Sequence, residues 1–186
     1  MAKILIIGCG ALGYELAKQL AEAGHEVTGL KRNPPTTSRE KFKFFRADIA
    51  VTQDLDNLTT DFDHIFFIVS ADSRNENSYH DIYEIGINNL IHKFGQSTTQ
   101  APWIFVSSTS VYGQNQGEWV DENSPAIPNK ATSLKILKAE QKLVALNPQN
   151  VVVRFSGIYG PGREYLLRSA KQTPSIQKDP PYYTHR

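Results

Sequence analysis

The segment Gly8-Cys9-Gly10-Ala11-Leu12-Gly13 limits what this chain can fold into more than any other feature. It follows the apolar run Ile4 to Ile7 and opens onto Ala11 to Ala23, a proline-free stretch whose apolar residues recur at helical spacing. Three glycines at a strand-to-helix turn each have a physical reason. Gly8 permits the tight turn, Gly10 lets backbone approach a pyrophosphate with no Cβ in the way, and Gly13 allows the helix to pack close on the strand. The free amides and positive dipole end at Ala11, Leu12 and Gly13 then face the phosphates. Gly24-His25-Glu26-Val27 starts a second strand at the distance such a unit needs. The expectation is a dinucleotide site at the first β-to-α turn; the alternative is a structural turn in an α/β domain that binds something else.

The rest of the chain continues the alternation. Strand-length apolar bursts occur at Lys3 to Ile7, His25 to Leu30, Phe42 to Arg46, His64 to Ser70, Trp103 to Ser107 and Val151 to Phe155. Ser78 to Phe94 and Thr132 to Ala145 read as further helices, and in the second Ile136, Ala139, Leu143 and Val144 fall on one face. Strands interleaved with helices predict an α/β fold, a Rossmann-type doubly wound parallel sheet with helices on both faces. Asn33 to Arg39, Asn115 to Lys130 and Thr173 to Arg186 read as loops.

The end of the second strand bears on the choice of dinucleotide. An acid there would accept from ribose hydroxyls and select NAD, whereas cations neutralise a 2′-phosphate. The chain has Lys31-Arg32 at that point, so NADP is expected, with NAD the alternative. Asp48, followed by Ile49, is placed at the adenine, where its carboxylate either accepts from the amino group or caps a turn.

With Ser107-Ser108-Thr109-Ser110-Val111-Tyr112-Gly113 and Arg154-Phe155-Ser156-Gly157-Ile158-Tyr159-Gly160-Pro161-Gly162-Arg163 in order, the chain resembles an extended short-chain dehydrogenase/reductase. That is the NAD-dependent epimerase/dehydratase superfamily, and the glycine loop is similar to that of its atypical group. The resemblance implies a Rossmann domain over 1–160 and a small substrate lobe beginning at 161–186. It also implies NAD(P)-dependent hydride chemistry on a small-molecule substrate, a sugar nucleotide or related carbonyl compound. Family members use a Ser or Thr, a Tyr and a Lys. By the resemblance the hydroxyl role falls on Ser108, while the Tyr position is Thr132 and the Lys position Ile136, anchored on Ala139-Glu140. Threonine is too weak an acid to replace a phenol, and isoleucine carries no charge to tune one. Tyr112 is the candidate substitute for the proton relay; otherwise it packs in its turn and Lys135 is surface charge. Tyr83 stands where relatives carry an Asn, and the acidic loop Gly117 to Glu122 either supplies a general acid or is solvated. The expected function is an NADP-binding oxidoreductase or epimerase-like protein with a non-standard or degraded site. The alternatives are a non-catalytic NAD(P)-binding sensor and a remnant of a longer enzyme.

Composition excludes other classes. The 20 basic and 19 acidic residues give a net charge of +1, without the broad positive field that gathers nucleic acid or anionic membrane. No apolar run approaches a membrane span, and the single cysteine, Cys9, fits a reducing cytoplasm. His25, His64, His80, His92 and His185 are not spaced as metal ligands, so no metal is expected. The relatives implied by the resemblance continue beyond a stretch like Tyr182 to Arg186, which predicts a missing or truncated lobe. Apolar surface left uncovered by that loss would call for a partner chain, a homo-oligomer among the options, or leave stability low.

Overall fold

In the computed structural model, residues 1–37, 39–95 and 100–160 are described. Pro161 to Arg186, with the proposed start of the substrate lobe, lie outside the described residues. Six strands form one parallel sheet: β1 (Lys3–Ile7), β2 (Glu26–Lys31), β3 (Lys43–Arg46), β4 (His64–Phe67), β5 (Trp103–Ser108) and β6 (Val151–Phe155). Their order is β3-β2-β1-β4-β5-β6. This is the doubly wound order, with the switch point between β1 and β4, so ligands are expected at the carboxyl ends of those strands.

Helices α1 (Ala11–Glu22), α2 (Glu76–His80), α3 (Ile87–Gly95) and α4 (Ala131–Leu146) connect the strands. Residues on alternating sides of each strand build two cores. Ile4, Ile6, Val27 and Phe42 pack with Ala17 and Ala21 of α1 on one face of the sheet. Leu5, Ile7, Ile65, Phe67, Trp103 and Phe105 meet Ile87, Leu90, Ile136 and Leu143 on the other. Near-continuous apolar strands are what a sheet covered on both faces requires.

Three local readings are corrected. β4 stops at Phe67, short of Ser70, because its neighbour β1 ends: Gly8 turns out of the sheet with φ +93°, and the last ladder bond is from the Ile68 amide to the Ile7 carbonyl, at 2.7 Å. The central helix starts at Glu76, before Ser78, since the Asn75 side chain accepts from the Ser78 amide at 2.9 Å and caps it. A π-helical turn, Asp81–Gly86, then joins α2 to α3. In α4, Val144 is not in the core but 48% exposed, although Leu137, two turns earlier at nearly the same angle, is buried. Leu143, in the same last turn, is fully buried, so only one side of that turn is covered.

Phe105, 1% exposed and packed edge-to-face on Phe67, is expected to cost about 3–5 kcal/mol of stability when replaced by alanine. Val144→Ala should change it by less than about 0.5 kcal/mol. Urea unfolding of the two variants checks both values.

Candidate functional site

The glycine turn is built by close approach. An added Cβ at Gly8 would lie 2.5 Å from the Ile68 carbonyl oxygen, on top of the unfavourable positive φ. One at Gly13 would lie 2.4 Å from the Gly8 oxygen and 3.1 Å from the Ile6 side chain, so α1 seats on β1 only with glycine there. Gly10 differs, because a Cβ there meets nothing within 4 Å. The Gly8 and Cys9 amides both donate to the Leu30 carbonyl at 3.0 Å, tying the turn to β2. Gly10 precedes α1 in an extended conformation, and no side chain caps the helix, so the amides of its first turn, Ala11 to Gly13, are the donors its geometry leaves over. Cys9 is fully buried beside Gly29, and burial pushes its thiol up to about 11, which makes it packing rather than a nucleophile.

This turn opens on a cleft of about 360 Å³ at the carboxyl ends of β1, β2 and β4. Of the residues singled out in the sequence, Gly8, Gly10, Lys31, Arg32, Asp48 and Ile49 line it; Ala11, Leu12 and Gly13 belong to the first turn of α1 and are not in the lining. Asp48 holds its own turn, with Oδ1 accepting from the Ala50 amide at 2.9 Å and its N–H donating to Asp54 at 2.8 Å. Arg32 stands just past the end of β2, and its Nη2 lies 2.6 Å from Oδ1 of Asp72, which also lines the cleft. The hydrogen bond from Arg32 holds the Asp72 carboxyl below the usual carboxylate range and raises the guanidinium. Both side chains are half exposed or more, 50% and 61%, so water and salt keep the pair within about 1 kcal/mol. Asp72 comes from the loop after β4, 40 residues from Arg32, and no local pattern in the sequence announces it. That loop is pinned by the buried Tyr83, whose hydroxyl donates to the Val69 carbonyl at 3.2 Å and whose ionisation burial opposes.

The residues proposed for catalysis lie away from this lining. Ser108 ends β5 and caps the short 3-10 turn Thr109–Val111 by accepting from the Ser110 amide at 3.1 Å. Tyr112 borders a second cleft, about 740 Å³, with Thr109, Asp121, Glu122, Arg154 and Phe155. Its hydroxyl donates to the Asp121 carbonyl at 2.8 Å and accepts from Arg154 Nη1 at 2.9 Å, and the guanidinium carbon stands 4.8 Å from the ring centre. Thr132 is half-buried and Ile136 is 4% exposed, packed in the core on the α4 side of the sheet. Lys135 turns toward Glu84 of the π-helical turn, 3.7 Å away.

A buried ion pair underlies this end of the sheet. Glu140 of α4, 3% exposed, takes Arg154 of β6 on both carboxylate oxygens, with the closest contact 2.7 Å, and accepts from the Ser107 hydroxyl as well. Those bonds raise the Arg154 guanidinium well above its ordinary value. The sequence carried a signal for the pair: an arginine inside the apolar strand Val151 to Phe155, and a glutamate within the apolar stripe of α4.

Residues 4–178 match the family model described as the NAD dependent epimerase/dehydratase family. The chain belongs to that family. Among its relatives, protein YeeZ of Escherichia coli (strain K12) is 28% identical over 174 residues, 88% of this chain; the chain spans 61% of YeeZ's length. A Methylobacillus flagellatus structure assigned as an NAD-dependent epimerase/dehydratase superposes with a TM-score of 0.78 at 36% identity, covering 93% of this chain and 62% of that one. A UDP-glucuronic acid 4-epimerase from Bacillus cereus, solved in complex with NAD, shares the fold with a TM-score of 0.70 at 22% identity, over 85% of this chain and 57% of its own. Among the described residues no helix is long and apolar enough to cross a membrane.

Glu140→Ala leaves a largely buried guanidinium uncompensated and is expected to cost about 3 kcal/mol. The double replacement Glu140→Leu with Arg154→Met, which removes both charges, should cost clearly less in the same urea titration.

Proposed function

We propose that this chain binds a dinucleotide, NADP ahead of NAD, in the cleft at the glycine turn, and that it serves epimerase- or oxidoreductase-type chemistry on a sugar nucleotide or related carbonyl compound. The observation that carries the reading is Gly10. At the mouth of an uncapped helix, it is the one position of the glycine motif where space, rather than protein, faces the missing Cβ. The residues fit a pyrophosphate there through the amides of Ala11, Leu12 and Gly13, with Gly8 setting the turn and Gly10, whose own amide donates to the Gly8 carbonyl at 2.8 Å, leaving the approach open. Lys31 and Arg32 would meet a 2′-phosphate, and Asp48 and Ile49 the adenine. When bound, the nicotinamide supplies hydride transfer.

Family membership supports the reaction class, and the fold shared with a UDP-glucuronic acid 4-epimerase supports a sugar nucleotide as substrate. On this reading residues 1–160 form the dinucleotide-binding domain and 161–186 begin a substrate lobe. Ser108 orients the substrate. Tyr112 carries the proton relay, for which its hydroxyl must release the Asp121 carbonyl.

A second reading, a non-catalytic NAD(P)-binding sensor or regulatory module, is favoured by the burial of Ile136 at the position of the family lysine. A neutral side chain sealed in the core cannot be recruited as the cation that tunes a phenol.

Gly10→Ala tests the carrying observation, because its φ of −84° suits alanine and its Cβ enters open space. Urea unfolding should shift by less than about 1 kcal/mol, while NADPH affinity, read by nicotinamide fluorescence, falls at least about tenfold. Unchanged affinity would remove the cofactor reading. Arg32→Gln should weaken NADPH more than NADH, and equal losses would withdraw the preference for NADP.

Incubation with NADPH or NADP and a panel of UDP-sugars separates the two functional readings. The catalytic reading expects converted sugar; intact cofactor binding with no conversion of any sugar selects the sensor.

A further inference from the structure

We propose that Asp72 is a specificity-determining residue of the adenosine end of the cleft, an internal counter-ion that competes with a 2′-phosphate for Arg32. The inference rests on the cofactor reading above and goes beyond it, because a strand end with two cations and no acid of its own would otherwise select strongly for the phosphorylated dinucleotide.

Three observations carry it. The carboxylate already sits where an anion would be sought, 2.6 Å from the guanidinium, and both groups line the cleft that contains the glycine turn. The charges along that lining balance: Lys31 and Arg32 are set against Asp48 and Asp72. And Asp72 is held there by the architecture, since its loop starts where Ile68 and Val69 abut Gly8, with Tyr83 bonded to the Val69 carbonyl.

The consequences for the two dinucleotides are opposite. A 2′-phosphate brings about two negative charges and must take the guanidinium from Asp72 or share it at close range with a like charge. A 2′-hydroxyl is a donor and can bond to the carboxylate with the ion pair left intact. Because the pair is exposed, displacement is affordable, and the result is a modest preference rather than exclusion. The Arg32–Asp72 pair thereby supplies, from the β4 loop, the ribose-facing acid that the end of β2 lacks.

The test is a fluorescence titration of NADPH and NADH at low salt, where exposed charges are least screened, against the wild-type chain, Asp72→Asn and Asp72→Ser. Both replacements should tighten NADPH about threefold to fivefold and leave NADH unchanged or weaker by about threefold at most. In an Arg32→Gln background the same Asp72→Asn change should lose most of its effect on NADPH. Thermal unfolding confirms that each variant is folded, and the serine replacement guards against an effect peculiar to the asparagine amide. If both dinucleotides bind and neither Asp72 replacement alters their ratio, the inference falls and the cofactor reading stands. An undiminished gain without Arg32 also overturns it, because Asp72 would then act on something other than the guanidinium. If neither dinucleotide binds the wild-type chain, the cofactor reading fails and takes the inference with it.

Discussion

The contact between Gly8 and the backbone of Ile68 and Val69 sets the geometry on which the rest of the cleft depends. At 2.5 Å from an imagined Cβ to a carbonyl oxygen, no other residue fits without moving β4 against β1. One missing side chain therefore does two things. It lets the chain leave β1 sharply enough for α1 to begin over the sheet, and it draws the β4 loop against the glycine turn. The first places the amides of α1 at the switch point of the doubly wound sheet. The second brings an acid from the far side of that switch point to the end of β2.

That juxtaposition changes the meaning of Lys31-Arg32. In the sequence they are two cations with no acid beside them, and the local inference is a 2′-phosphate site. In the fold, Arg32 has a partner, and the lining of the cleft carries as many acids as bases. A guanidinium with an intramolecular counter-ion is still a good anion ligand. Its affinity for an incoming phosphate, however, is reduced by whatever free energy the existing pair contributes, within about 1 kcal/mol for an exposed one. Cofactor preference at such a site is a difference between two small terms, which is why residue types at a strand end foretell it poorly.

Local patterns made most of the architecture legible. The apolar bursts located every strand to within a few residues, most closely at β1, whose Ile4 to Ile7 are all buried. The glycine spacing located the turn, because Gly8 and Gly13 each answer a steric requirement of the fold that no other residue meets. What stayed hidden was long-range. Asp72 and Arg32 are 40 residues apart, and Ser107, Glu140 and Arg154 come from three separate elements. Val144 lies outside the core for a related reason: helical periodicity gives the angle around α4 but not which neighbours cover each turn.

The other end of the sheet is held together by a buried ion pair. Arg154 bridges Glu140 and Tyr112, Glu140 also holds Ser107, and Tyr112 holds the loop at Asp121, so β5, β6, α4 and the segment after β5 are joined through one guanidinium. Arg154 fixes Tyr112 in place through the bond to its hydroxyl and the contact with its ring. Among the described residues the closest contacts of the glycine turn run to β1, β2 and the start of the β4 loop, while the ion pair ties β5, β6 and α4, so the two ends of the sheet are fixed by separate sets of contacts.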